Sequence, residues 1–344
     1  MSTQKDSAAR LGVTPPLVVR VLTGSADHTG ASGEMVRRIR EPAAEVSHRS
    51  SAAAPTPRAE RTKTLGVIVK DFTDPFFWHM VGELRRLGWA RQYSLVVTGY
   101  DSVSDEPLDL ASLQEYGLDG LIILGSDFEP AGLEALTARG IRTVQIGIGP
   151  RPKGVCGVVM DQEYGLRQLI GHLRKLGHRD FGFIGDDSPS SVRREQIVFK
   201  LLKNYGMVPR PNALVRVTVH GTKTGYDAML RLLRPCSESL PTAVIAADDL
   251  IAQGALRALF EWRIAVPKDL SIVGVDDIPS AEMTVPALTT LRQPIAQMIW
   301  KAFGTLTETR RKFSTLPDEI AVRPKLILRE SCASPRHAGW QAGS

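Results

Sequence analysis

The chain has 344 residues, of which 43% are hydrophobic, a formal net charge of +6 and a sequence pI of about 9.3. This length predicts two or three domains with substantial cores, and the composition excludes a disordered protein. The opening residues MSTQKDSAAR lack the apolar core of a secretory signal, and no run approaches the roughly 18 apolar residues that a membrane span needs. We therefore expect a cytoplasmic protein.

The positive charge is concentrated near the N-terminus. Residues 1–64 hold ten Lys or Arg against six Asp or Glu, a net of +4, and the remaining 280 residues carry +2. A short basic segment on a nearly neutral body suits contact with nucleic-acid phosphates, and a solvated basic tail is the alternative. The three cysteines, Cys156, Cys236 and Cys332, form neither a metal pattern nor an even disulfide set, so we interpret them as reduced and structural.

The N-terminal segment predicts two short helices joined by a turn. The first, KDSAARLG, ends near a glycine, and the second begins at Thr14 as N-cap. Pro15 and Pro16 fall in its first turn, where amide hydrogens have no intrahelical partner, so they start this helix without breaking it. Apolar residues at positions 18, 21 and 22 form a core stripe, and Arg20 projects from another face. This pattern is typical of a helix-turn-helix and equally of any small helical hairpin.

Residues 47–63, SHRSSAAAPTPRAERTK, have no apolar periodicity and predict a linker. Beyond it, short apolar runs alternate with amphipathic segments of helical length. They are LGVIV (65–69), YSLVV (93–97), GLIIL (120–124), RTVQIGI (142–148), FGFIG (181–185), TAVIAA (242–247) and LSIVGV (270–275). This alternation predicts an α/β fold of doubly wound parallel sheets with helices on both faces.

Polar residues follow many of these predicted strands. Ligands of such sheets bind beyond the carboxyl ends of the strands, which is where this set falls. Each residue alone fits a helix cap or a turn equally well, but their recurrence after strands favours a pocket. The set comprises residues 71–74, Ser126, Asp161, residues 186–191, Asp248, Asp249, Asp276 and Asp277.

The head resembles the opening of the lactose/galactose repressor (LacI/GalR) family. The residues in the family register are Thr3, Asp6, Ala8, Gly12, Val13, Thr14, Val18, Arg20, Val21, Leu22 and Gly24. The resemblance implies that the start of the second helix and Arg20 read bases and that three threonines lie near phosphates. The implied DNA-binding residues are Thr3, Thr14, Pro15, Pro16, Arg20 and Thr23.

From residue 61 to about 330 the resemblance is stronger and implies a periplasmic-binding-protein-like effector domain. The segments that carry it are RTKTLGVIVKDFTDPFF, VVMDQEYG, HLRKLGHRDFGFIG, RREQIVFKLLKNYG, AADDLIAQGALRAL and VPKDLSIVGVDDIPSAEMTVPALTTLRQP. The implied effector-binding residues are Asp74, Phe76, Ser126, Asp161, Arg194, His220, Asp248, Asp276 and Gln293.

These residue types suit a polyol ligand, because carboxylates and an arginine bind paired hydroxyls while Phe76 covers the apolar face of a sugar. His220 stands where family members often place an aromatic residue, and Asp248 where most place Asn. A carboxylate only accepts hydrogen bonds, so we expect a ligand rich in donors, or even cationic. Two alternatives stay open: Asp276 caps a turn, and Arg194 only pairs with the neighbouring glutamate or with an acid of the cleft.

The predicted organisation is a helix-turn-helix DNA-binding domain (1–46), a linker (47–63), an effector domain (64–330) and a flexible tail (331–344). Within the effector domain we predict an N-subdomain of residues 64–177 and 291–322, and a C-subdomain of residues 178–290 and 323–330. One short recognition helix buries too little surface for specific affinity, so a homodimer on a pseudo-palindromic operator is expected.

The predicted function is ligand-responsive transcriptional regulation, most simply repression controlled by a sugar. The sequence contains no metal-ligand spacing, Walker loop, G-x-S-x-G motif or dinucleotide fingerprint in context, so we expect no enzyme activity, cofactor or metal. Ser7, Leu17, Val19 and His28 depart from the family pattern in the head. A small-molecule-binding protein whose head no longer recognises an operator is therefore the alternative.

Overall fold

The computed structural model divides the chain into two units, Met1–Glu60 and Arg61–Ser344. It describes residues 62–99, 116–125, 134, 137, 140–207, 213–218, 220–234, 240–307 and 318–335, all of which belong to the second unit. The predicted DNA-binding residues lie outside the described residues, as do Ser126 and Cys236.

The first of two sheets is entirely parallel. Its strands are β1 (Thr64–Val69), β2 (Ser94–Gly99), β3 (Gly120–Leu124), β4 (Thr143–Ile146), β5 (Cys156–Met160) and β11 (Glu319–Val322), and their order is β11-β5-β4-β3-β1-β2. Every residue of β3, β4 and β5 is buried, as expected for strands covered on both faces.

The second sheet repeats this plan with one antiparallel edge. Its strands are β6 (Phe181–Asp186), β7 (Leu214–Val217), β8 (Ala243–Ala246), β9 (Ser271–Asp276), β10 (Thr289–Arg292) and β12 (Lys325–Ile327), in the order β12-β10-β9-β8-β6-β7. Only the pairing of β10 with β12 is antiparallel among these described strands. The predicted fold class, two parallel-sheet subdomains of α/β topology, is confirmed.

Helices cover the two sheets and divide the described chain into two lobes. The helices are α1 (Pro75–Arg91), α2 (Gln162–Lys175), α3 (Pro189–Asn204), α4 (Thr222–Leu233), α5 (Asp249–Glu261) and α6 (Ile295–Thr307). Buried residues of α1 and α6 share a core with the first sheet, and those of α2, α3, α4 and α5 share a core with the second. We name these assemblies the first lobe and the second lobe.

The chain passes between the lobes three times, after β5, after β10 and after β11. The buried face of α2, which includes Leu166, Leu169 and Leu173, belongs to the core of the second lobe. The predicted subdomain boundary at residue 177 falls after this helix and would assign it to the first lobe. We therefore propose that the first boundary lies near Asp161, because burial of the apolar face of α2 keeps the helix with the second sheet.

Helices α4 and α5 approach each other closely at two glycines. A Cβ atom added to Gly254 would overlap the carbonyl oxygen of Thr222, and one added to Gly225 would overlap that of Ile251. Backbone atoms cannot yield as a flexible side chain can, so this contact requires glycine at both positions.

Two smaller features bear on the sequence predictions. Cys156 is a buried free thiol and Cys332 a partly buried one, which agrees with the prediction of reduced, structural cysteines for these two residues. None of the helices in the described ranges combines the length and the apolar character needed to span a membrane.

Candidate effector site

The carboxyl ends of the strands of both lobes open onto one cavity of about 1000 Å³. That volume is at the upper end for small-molecule sites. Seven of the nine sequence-predicted effector residues line it: Asp74, Phe76, Arg194, His220, Asp248, Asp276 and Gln293. Residues from distant parts of the chain meet here because parallel strands bring their carboxyl ends to one edge of each sheet.

Asp161, the eighth predicted residue, is not among the cavity-lining residues. Its carboxylate caps α2 by accepting a hydrogen bond from the Tyr164 amide at 3.0 Å. The side chain is therefore directed to its own helix terminus, which is the usual role of an aspartate at this position. The next residue, Gln162, lines the cavity instead. The ninth predicted residue, Ser126, lies outside the described residues.

His220 contacts three carboxylates at once. Its Nδ1 lies 2.8 Å from Oδ2 of Asp186 and 3.4 Å from Oδ2 of Asp248, and its Nε2 lies 3.5 Å from Oδ2 of Asp74. Asp74 caps α1 in the first lobe, whereas Asp186 ends β6 and Asp248 caps α5 in the second. The imidazole therefore bridges the two lobes across the cavity.

The carboxylates hold His220 in its charged form. Burial by itself lowers the pKa of His220, but hydrogen bonds to Asp186 and Asp74 outweigh it and raise the pKa from 6.5 to about 11. Burial likewise raises the pKa of Asp186, yet the hydrogen bonds from His220 and Ser188 hold it well below its usual range. At neutral pH the site thus contains an imidazolium bonded to an ionised carboxylate.

Asp186, His220 and Asp248 also offer three possible metal-ligand atoms within 4.8 Å of one another. Two ligands on a tetrahedral zinc ion lie about 3.3 Å apart, since each bond is about 2.0 Å long. The 2.8 Å separation between Asp186 and His220 is shorter than that and matches a charge-assisted hydrogen bond. We therefore interpret the group as an ion-pair cluster.

A second ion pair lies deeper in the cleft. Arg194, which is 5% exposed, donates from Nη1 to the carbonyl oxygen of Ala247 at 2.5 Å and from Nη2 to Oδ1 of Asp276 at 3.2 Å. Gln293 donates to the same oxygen of Asp276 at 2.6 Å. Of the partners considered for Arg194, the cleft acid is the one it bonds, because Glu195 pairs with Arg216.

Asp276 is held in an unusual state. Burial raises its pKa to about 7, although the neighbouring Arg194 guanidinium opposes that rise. Its backbone has φ 117°, a left-handed conformation that costs a non-glycine residue about 1–3 kcal/mol. The alternative reading of Asp276 as a turn cap is not supported, since its carboxylate accepts from the side chains of Arg194 and Gln293.

Asp186 and Gln162 are polar residues of the cavity wall that are absent from the effector-binding residues implied by the family resemblance. Asp186 belonged to the predicted polar residues at strand ends, so the signal was present, but the family resemblance did not mark it. Gln162 is 5% exposed, and its Oε1 has no hydrogen-bond partner among the described residues. Asp161 and Gln162 both follow the end of β5 directly, so the sequence does not show which of the two lines the cavity. The position of the first turn of α2 decides that it is Gln162.

An apolar wall completes the cavity. It includes Phe76, Phe77, Met80 and Met298, and the two phenylalanine rings pack edge to face with centroids 5.4 Å apart. Flat apolar surface beside buried carboxylates can hold a compact ligand that has one apolar face and several polar groups.

Comparison with known proteins agrees with this architecture. Residues 170–332 match the model of the periplasmic binding protein-like domain. The chain is 28% identical over 341 residues to the HTH-type transcriptional repressor PurR of Edwardsiella ictaluri, and the alignment covers 97% of each chain.

Two solved structures extend the comparison. A LacI family transcriptional regulator from Enterococcus faecium with bound ribose has 25% identity and a TM-score of 0.70, covering 79% of this chain and all of its own. The transcriptional regulator CelR in complex with cellobiose has 26% identity and a TM-score of 0.68, covering 96% of this chain and all of its own. Over nearly its whole length, the chain is thus similar to LacI/GalR family transcription regulators, and these similarities support a ligand-responsive, DNA-binding regulator of that type.

Proposed function

We propose that this protein is a cytoplasmic transcriptional repressor whose affinity for its operator is controlled by a small polar metabolite, most simply a sugar, bound between the two lobes. The observation that carries this proposal is the cavity itself, whose wall combines buried carboxylates and a buried arginine from the second lobe with Asp74 and Phe76 from the first. Ribose and cellobiose in the two related structures support the sugar class.

The cavity chemistry supports a ligand that donates more hydrogen bonds than it accepts. Asp74, Asp186, Asp248 and Asp276 all line the wall, and each ionised carboxylate accepts without donating. The guanidinium of Arg194 already bonds Ala247 and Asp276, but its buried Nε has no partner among the described residues. A ligand hydroxyl group suits this wall, because it donates to a carboxylate and can also accept a hydrogen bond.

Control of DNA binding follows from ligand contacts on both lobes. A ligand that touches both lobes binds the closed form better, and only this difference in affinity can shift the equilibrium between open and closed forms. At 100 times the dissociation constant, a ligand stabilises its preferred form by about 2.7 kcal/mol. That is sufficient to change operator occupancy if closure alters the spacing of the DNA-binding segments.

The DNA partner is proposed to be a pseudo-palindromic operator read by a homodimer. Exposed aromatic residues on the outer helices of the first lobe, Trp89 on α1 and Trp300 on α6, support a surface that pairs with a second copy. Sedimentation velocity at micromolar concentration is expected to give a dimer. Monomer alone, with and without DNA, would exclude this arrangement.

The effector proposal is tested by thermal shift and fluorescence anisotropy. Sugars and nucleosides are screened for an increase in Tm with wild type, Arg194→Ala and Asp276→Ala, and each hit is added to the protein bound to an operator found by genomic footprinting. We expect a hit that stabilises wild type alone and changes its operator affinity. A ligand that stabilises all three proteins equally contradicts the pocket, and a ligand that leaves DNA affinity unchanged contradicts the switch.

A further inference from the structure

His220 is surrounded by carboxylates in the way that a bound cationic ligand would be. Three carboxylates that are each at most 10% exposed, those of Asp74, Asp186 and Asp248, surround one nitrogen-bearing ring whose own side chain is 30% exposed. We name these three residues the carboxylate cradle. Three ionised carboxylates without a cation between them would repel one another in a poorly solvated place, so the arrangement favours a positive group.

His220 is placed by a short connection rather than by a helix or a strand. It follows the end of β7 and precedes Gly221, whose φ of 124° lets the chain turn into α4. The side chain thus reaches the cradle from the edge of the cavity. A group held in this way can leave the cradle without unfolding of a helix or strand, which is the property expected of an internal occupant.

A second observation concerns an unpartnered hydrogen-bond acceptor on a residue of the same cavity wall. Gln162 also lines the wall, is 5% exposed and has an Oε1 atom with no partner among the described residues. A buried acceptor without a donor is unfavourable, and such atoms are rare in native structures unless a ligand or water completes them. Even with His220 in the cradle, the wall therefore has an unfilled acceptor.

We propose that Asp74, Asp186 and Asp248 form a binding site for a positively charged nitrogen group, which His220 fills in the ligand-free cleft and which an amine-, amidine- or imidazole-bearing effector takes over. This inference rests on the proposed function and narrows its ligand class to cationic, donor-rich compounds such as amino sugars. The cation links Asp74 in the first lobe to Asp186 and Asp248 in the second, so exchange of the internal cation for an external one occurs at the point where the lobes meet.

The test empties the cradle and refills it with a named probe. Full-length His220→Ala is compared with wild type by thermal shift at about pH 6, where free imidazole is mostly protonated. Imidazole is the probe, and pyrazole, of similar size but uncharged at this pH, is its control. His79→Gln is the matched control variant, because His79 is an exposed histidine on α1.

We expect the Tm of His220→Ala to lie several degrees below that of wild type, and the Tm of His79→Gln to equal that of wild type. Imidazole should restore the lost Tm of His220→Ala in a saturable way and bind at least about tenfold more tightly than pyrazole, because the charged donor bonds ionised acceptors. The double variant Asp186→Asn/His220→Ala should lose this rescue. If His220→Ala does not fold, His220→Gln is read by hydrogen exchange, where faster exchange around Asp74 and Thr222 is expected.

Four results would overturn the proposal. The first is a His220→Ala protein that is as stable as wild type, and the second is equal rescue of that variant by imidazole and pyrazole. The third is a Zn²⁺-induced increase in the Tm of wild type that His220→Gln abolishes. The fourth is a natural effector that proves to be a neutral sugar. The last result leaves the proposed function intact. Conversely, imidazole rescue without any ligand effect on DNA binding supports the cation site and rejects the proposed function.

Discussion

Replacement of Arg194 by methionine tests how the cleft is built. Methionine keeps most of the apolar stem and removes the guanidinium, so Asp276 and the carbonyl oxygen of Ala247 each lose a charged donor. Arg193 precedes it on α3 and is exposed, which makes Arg193→Met the matched control.

The magnitude follows from the burial of the pair. The side chain of Arg194 is 6% exposed and that of Asp276 is 11% exposed, so water cannot replace the lost partner well. Removing one member of a buried ion pair typically costs about 3–5 kcal/mol. We expect a loss of this size for Arg194→Met at pH 8 and less than about 0.5 kcal/mol for Arg193→Met.

The loss of unfolding free energy should depend on pH, because the carboxylate of Asp276 can take up a proton and become neutral. Its pKa is already raised to about 7 with Arg194 present, and removal of the guanidinium, which lowers that pKa, raises it further. Above pH 7 the folded variant retains a proton that the folded wild type has released. The deficit in unfolding free energy therefore grows as pH rises through 7, by up to about 1.4 kcal/mol per unit, and levels off below pH 7, where both folded proteins hold the proton.

Urea denaturation followed by circular dichroism at pH 6 and pH 8 measures both effects. The double variant Arg194→Met/Asp276→Asn should recover much of the loss at pH 8, because no unpaired charge remains. A loss below about 1 kcal/mol at pH 8, or the same loss at both pH values, would refute the reasoning.

Three further predictions concern other parts of the chain. Arg20→Ala should weaken operator binding by about 1–3 kcal/mol in anisotropy titrations, and an equal loss on random DNA would make it a phosphate contact. The stability advantage of wild type over His220→Gln should be greatest below pH 6.5 and should fall as pH rises toward 11, by at most about 1.4 kcal/mol per pH unit, because the folded state keeps a proton that the unfolded chain releases. A constant difference between about pH 7 and 9 in urea denaturation would contradict this expectation. Gly254→Ala should cost about 3 kcal/mol by forcing α4 and α5 apart, whereas Gly171→Ala, which meets no atom within 4 Å, should be neutral or slightly stabilising in the same assay.

The repeating pattern of strands is visible in the sequence. All seven apolar runs correspond to strands, namely β1, β2, β3, β4, β6, β8 and β9. Apart from the edge strand β2, these strands are largely buried, and buried parallel strands need continuous Val and Ile. The five remaining strands were not predicted. β7 carries the exposed Arg216 between two buried valines, and β11 has a single buried residue, Val322. β10 is four residues long and β12 three, and β5 follows β4 with no helix between them. Such strands depend on the neighbours they pair with rather than on their own composition.

The sequence by itself determined the class of fold, the resemblance to the LacI/GalR family and most of the cavity wall, because strand ends are local features and parallel strands bring them to one edge. Only the tertiary structure decided that α2 packs with the second lobe, that Asp161 caps this helix while Gln162 faces the cavity, and that Asp186 joins Asp74 and Asp248 around His220. The charge of that histidine depends on three carboxylates that are far apart in the chain. No local pattern encodes such an environment, since a pKa is set by distances and burial in three dimensions.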